Sequence, residues 1–341
     1  MKKHTVENIK IGDVDVIKVT LANHISKVVL LSYGAGVYQY QYHQSELIIM
    51  PKTIKDYMND MVYYGKTIGR TSGRLVVPSY EIDQKSYEVK PYRSAYTSLH
   101  GGKQGFSTRN FDLVYHDDQK VIFRYISKDL EEGYPGKLTL DVIYELGIDG
   151  SLKITYEATT TKDTLCNITN HVYFNLNQQI SDIYDTEIQL KASSYLDIDQ
   201  NYMIRKAKSV VQTPFDFRIS VPFKDRIEAM QKTTFEGFDH TWIFDELNDK
   251  EAKAIAYDRT SNLGIKAYTS YPAVVLYTHN NPAGTPIVGP FDDEAIHSSF
   301  TLECQFEPGG IHHKNLNQAI LRKGDTYHHF IKFQPFIKEQ K

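Results

Sequence analysis

Several side chains able to move a proton or grip an oxygen-rich ligand alternate with apolar residues in short runs. In Thr169-Asn170-His171-Val172-Tyr173-Phe174-Asn175-Leu176, a strand puts His171, Tyr173 and Asn175 on one face and Val172, Phe174 and Leu176 on the other. The apolar face belongs in a core. The other gathers an imidazole, a phenol and an amide, as the polar floor of a ligand site does; a solvated strand face is the competing reading. Phe300 to Phe306 repeats the pattern, with Leu302, Cys304 and Phe306 on the core side and Thr301, Glu303 and Gln305 opposite. Cys304 thereby reads as a small core residue rather than a nucleophile. In Glu236 to Phe244, Asp239 opens a strand shortly after Gly237, and the only tryptophan, Trp242, falls on the opposite face. A turn-forming aspartate in the same place is the plainer alternative.

Two glycine-bearing segments add candidates. His100 is followed by Gly101, Gly102 and Gly105, which predicts a mobile or tightly turned loop whose backbone can come close to a ligand. The spacing matches neither phosphate-binding nor dinucleotide-binding loops. Arg70 and Arg74 stand four apart beside Gly69 and Gly73. Their forked donors suit an oxygen-rich ligand, and a plain surface pair is the alternative. Metal chemistry has little support: His312-His313 and His328-His329 are adjacent pairs, and neighbours on a strand face opposite ways. Two cysteines, Cys166 and Cys304, make neither a zinc site alone nor a disulfide scaffold, and a reducing cytoplasm is expected. No GxSxG elbow points to an acyl-enzyme.

The elements that must hold these residues are mostly strands. Alternation marks 14–20, 26–31, 111–115, 121–126, 137–145, 152–158, 185–190, 264–269, 273–278, 299–306 and 326–334. Helical periodicity is confined to 53–60 and 225–232. Strands without a linker or repeat predict one sheet-on-sheet domain. The 25 Tyr and 16 Phe suit half-buried strand surfaces. With 39 basic and 42 acidic residues the net charge is −3, so there is no electrostatic footprint for nucleic acid. No apolar run approaches the roughly 20 residues that span a bilayer, and none follows the lysines of MKKHTVENIK as a secretory leader would require.

Taken in order, these segments resemble the galactose mutarotase (aldose 1-epimerase) family. The matching stretches run along nearly the whole chain: Gly69-Arg70 with Arg74, Leu99 to Gly102, Glu132 to Gly136, Asn170-His171 with Tyr173 to Leu176, Thr213 to Arg218, Gly237 to His240, Tyr277-Thr278, and Leu302-Glu303 with Gln305 and Pro308. The resemblance implies an all-β, large single-domain β-sandwich of the galactose mutarotase type over residues 1–341, no cofactor, and a small-molecule sugar substrate. It makes Glu303 the catalytic base and His171 the catalytic acid. His100 becomes a partner at the ring oxygen, and Asp239 and Arg74 become ligands for hydroxyls. Tyr173 lies in the substrate-contacting strand. Two departures concern the choice of sugar: Gly73 stands where the family often has Asn, and Val275 where it often has Gln.

Mutarotation opens a pyranose to its aldehyde and closes it on the other face. One base and one acid placed across the sugar suffice, without metal or redox cofactor. Unperturbed Glu titrates near 4.3 and His near 6.5, so Glu303 is expected to be ready as a base at neutral pH, while His171 needs its pKa raised to donate. Three rivals share the fold. A glycoside hydrolase would use Asp239 and Glu303 as its carboxylate pair. A non-catalytic sugar-binding module would be expected to have lost Glu303 or His171. A sugar-phosphate mutarotase needs further basic residues at the pocket.

Overall fold

The computed structural model describes residues 4–177, 179, 182–288 and 295–338. Two large antiparallel sheets face one another. The nine-stranded sheet runs in the order Asp112–His116, Lys120–Ser127, Leu138–Leu146, Leu152–Thr160, Tyr327–Ile337, Leu263–Thr269, Ala254–Asp258, Thr186–Leu190, Val221–Pro222. The six-stranded sheet runs Tyr173–Phe174, Phe300–Gln305, Ala273–Tyr277, Asp239–Ile243, Ser194–Ile198, Ile204–Ser209. Their inner faces share one core: Val142, Tyr144, Ile154 and Phe333 from the first meet Trp242, Val274, Leu276, Phe300, Leu302 and Cys304 from the second. The rings of Phe174 and Phe333 touch across the layers at 4.9 Å. The fold is an all-β sandwich, as the alternation predicts. A five-stranded sheet, His4–Ile11 through Ser45–Glu46, adds its inner residues Val19, Leu21, Val28 and Leu30 to the same core.

Both short helices form. Ile54–Asn59 begins at Thr53, whose hydroxyl caps the Asp56 N–H while the Asp56 carboxylate returns a bond to the Thr53 N–H. Phe223–Met230 buries Phe223, Ile227 and Met230. The expected strand over 169–176 is instead two pairs of residues. Thr169–Asn170 pairs with Thr67–Ile68, and Tyr173–Phe174 with Phe300–Thr301. The chain breaks from the ladder at His171, yet Val172, Phe174 and Leu176 still face the main core. Ile204–Ser209 (IRKAKS) is silent as a strand in the sequence because it is an exposed edge, with no apolar face to print a period.

Candidate active site

The outer face of the six-stranded sheet floors a cavity of about 240 Å³. Register explains which residues meet there. Glu303 lies opposite Val275, and Val275 opposite Thr241. One row further along, Thr301 lies opposite Tyr277, and Tyr277 opposite Asp239. Inward neighbours such as Leu302 and Cys304 are core, so the pleat alone delivers Glu303 to the cavity. His171 reaches it from the irregular chain before Tyr173. Its Nε2 stands 3.4 Å from Glu303 Oε1, with both side chains about 5% exposed or less. Glu303 Oε1 also accepts from the Thr301 hydroxyl at 3.1 Å. His100 packs edge-on to His171, ring centroids 5.3 Å apart, and its Nδ1 accepts the Gly73 N–H at 3.1 Å. That acceptor role puts the proton of the neutral ring on Nε2. Arg74 reaches Asp239 at 3.1 Å, and its guanidinium carbon stands 3.7 Å from the Tyr202 ring centroid.

Burial sets the protonation of this cluster. Glu303 is pushed up to about 8, first by burial and then by the nearby Asp239 charge. His171 is pushed down to about 3, again by burial first, with Asp239 opposing. His100 is held well below its ordinary value by burial and by the neighbouring His171 and Arg74. The expectation of an ionised Glu303 beside a charged His171 is therefore reversed at rest. Between these limits the pair holds one proton, which rests on Glu303, 3.4 Å from His171. The two groups stand side by side on the cavity floor.

The sequence pattern of the aldose 1-epimerase family matches residues 18–334. The aldose 1-epimerase of Escherichia coli is 31% identical over 331 residues, covering 94% of this chain and 95% of that one. The galactose mutarotase of Rattus norvegicus is 32% identical over 291 residues, covering 84% and 82%. The crystal structure of galactose 1-epimerase from Lactobacillus acidophilus superposes with a TM-score of 0.86 at 25% identity, covering 99% of each chain. The chain belongs to the aldose 1-epimerase family. It is thus an isomerase that interconverts the anomers of a sugar.

Within this epimerase the cavity gathers Glu303, His171, His100, Arg74, Asp239 and Tyr173. Tyr173 offers its ring, because its hydroxyl donates to the Val62 carbonyl at 2.8 Å. Other expectations fail. Asn175 turns away and donates to the Ser298 carbonyl. Arg70 is 2% exposed and donates to the carbonyls of Ser127, Lys128, Pro135 and Gly136, so it holds the 127–136 turn instead of a ligand. The glycines after His100 serve close approach to the chain itself: a Cβ on Gly101, at φ +82°, would lie 2.0 Å from the Gly69 carbonyl oxygen.

His100, His171 and Glu303 present donor atoms all within 4.8 Å of one another. A resident metal fits them poorly, because ligand imidazoles use their second nitrogen as a donor, whereas His100 Nδ1 accepts the Gly73 N–H. Sequence reasoning missed Tyr63, whose ring packs on His100 at 4.7 Å, and Tyr202. Tyr202 sits in the connection between Ser194–Ile198 and Ile204–Ser209, where no periodicity marks it. The glycine at 73 leaves room for Pro308, whose Cβ would be 2.6 Å from a Cβ at that position.

Proposed function

We propose that Glu303 and His171 carry out the proton transfers of mutarotation on an aldohexose such as glucose or galactose, within one domain spanning residues 1–341. The observation that carries this reading is the buried 3.4 Å contact between Glu303 and His171 at the cavity floor. With the shared proton on His171, Glu303 takes the proton of the anomeric hydroxyl while His171 gives one to the ring oxygen, and the C1–O5 bond opens. The C1–C2 bond rotates, and closure reverses both transfers. Each group contributes roughly 100- to 10,000-fold. His100, with its proton on Nε2, donates to an oxygen near the ring. Arg74 and Asp239, locked together at 3.1 Å, hold hydroxyls so that the open chain stays in place. The engagement of Asp239 by Arg74 argues against a two-carboxylate glycosidase. Cys166 and Cys304 are both free and buried, which supports a reducing compartment such as the cytoplasm.

Polarimetry on freshly dissolved α-glucose and α-galactose tests the reading: the protein should speed the approach to equilibrium, and no acceleration with either sugar overturns it. Hexose 6-phosphate in the same assay tests whether Arg93, at the cavity edge, serves a phosphate.

A further inference from the structure

His171 lies off the strand ladder, so something other than sheet pairing must hold it. The loop from Asp60 to Lys66 does so from both sides. The His171 N–H donates to the Lys66 carbonyl at 3.0 Å, and the Gly65 N–H donates to the His171 carbonyl at 2.9 Å. The flanking residues use the same loop: Asn170 Nδ2 donates to the Gly65 carbonyl at 2.8 Å, and the Tyr173 hydroxyl to the Val62 carbonyl at 2.8 Å. The loop is closed on itself by side chains. Asp60 Oδ1 accepts the N–H groups of Val62 at 3.0 Å, of Tyr63, and of Tyr64 at 3.3 Å. Its Oδ2 meets Lys66 Nζ at 2.7 Å, with the Lys66 side chain 3% exposed and that of Asp60 0%. Lys66 Nζ also sits 4.8 Å from the Tyr57 ring centroid and 5.6 Å from that of Tyr33.

A fully buried ion pair is weak evidence for stability, since apolar residues of similar volume do as well or better. A pair buried this close to the cavity floor invites another role, and the loop it closes grips His171 through both of its backbone groups. We propose that the buried Lys66–Asp60 ion pair is a positioning device that holds His171 against Glu303. The proposal rests on the functional reading above for its effect on rate, but the grip itself is independent of it. Neither Lys66 nor Asp60 lines the cavity. They fix the loop, the loop fixes the His171 backbone on both sides, and the imidazole keeps its 3.4 Å approach to Glu303. A displacement near 1 Å at such a site costs about 100-fold in rate.

The test uses the full chain carrying Lys66→Met with Asp60→Asn. The introduced amide keeps an acceptor for the three N–H groups, and no buried charge is left alone. We expect the double variant to fold with a melting temperature near that of the wild type, with kcat down about 10- to 100-fold and KM within about threefold. Loss of fold stability alone would not give that split. Amide exchange at His171, read by NMR, should be faster in the double variant than in the wild type. Unchanged kcat or unchanged His171 protection overturns the proposal. If the wild type fails to accelerate mutarotation while His171 exchange still rises in the variant, the functional reading falls and the positioning inference stands. If the double variant does not fold, Lys66→Met alone, in which the Asp60 carboxylate keeps its three N–H donors, is held to the same two criteria.

Discussion

Replacing Glu303 by glutamine should make the protein inactive and, at alkaline pH, more stable. The carboxyl is buried, and its pKa rises from 4.5 to about 8 in the fold, with burial as the leading cause. A group whose pKa is raised by folding stabilises the native state fully below its unfolded value and loses that contribution as pH rises through its folded value. The window here is pH 4.5 to 8. The shift is about 8 − 4.5 = 3.5 units, and at about 1.4 kcal/mol per unit the ceiling is roughly 5 kcal/mol. The introduced amide carries no charge at any pH and can still accept from Thr301. The stability of Glu303→Gln relative to the wild type should therefore climb between pH 4.5 and 8 and then level off. Urea unfolding of both proteins at several pH values measures it, and polarimetry on the same samples should show the rate reduced by a factor of at least about 100. Parallel stability curves would refute the burial argument. Retained activity would refute the assignment of the base.

The pH dependence of kcat/KM, which reports the ligand-free protein, should be a plateau bounded by the two limits of the shared proton. Activity falls below about pH 3, where His171 gains a proton while Glu303 keeps its own, and above about pH 8, where the pair loses its only proton. A flat stopped-flow polarimetric profile from about pH 8 to about 9.5 would contradict it. Arg74→Lys loses the guanidinium that stands 3.7 Å from the Tyr202 ring centroid, a contact worth about 0.5–2 kcal/mol. KM should rise about 3- to 30-fold with kcat little changed, and an unaltered KM would show that the guanidinium does not hold the sugar. Arg70→Met should act on stability alone: it removes the buried guanidinium donors to the carbonyls of Ser127, Lys128, Tyr134, Pro135 and Gly136, a loss of about 3 kcal/mol or more. It should lower the melting temperature while KM of the folded fraction stays put.

Alternation makes much of this molecule readable. Leu302, Glu303 and Cys304 betray two faces by type alone, and the strands that carry Asp239 and Tyr277 do the same. Arg70 and Arg74 are indistinguishable in sequence. Only the packing of the 127–136 turn around Arg70 separates a structural arginine from a cavity one. Tyr202 and the Lys66–Asp60 pair are silent because their partners are set by tertiary approach and not by period. The protonation of Glu303 escapes the sequence for a related reason. Model-compound values describe a carboxyl in water, and nothing in the residues around position 303 says that water will be excluded.

The strand Phe300–Gln305 gives adjacent residues to opposite jobs, cavity at 303, core at 302 and 304. A one-residue insertion or deletion here would turn every side chain over, putting Glu303 into hydrocarbon and Leu302 into the cavity. Drift in this segment is therefore restricted to substitution, whatever the tolerance of the surrounding loops. The same interleaving offers a route to altered sugar preference. Thr241 and Val275, which line the cavity, can be randomised together around a fixed Glu303 and its Thr301 partner, because their neighbours Trp242 and Val274 keep the sheets joined.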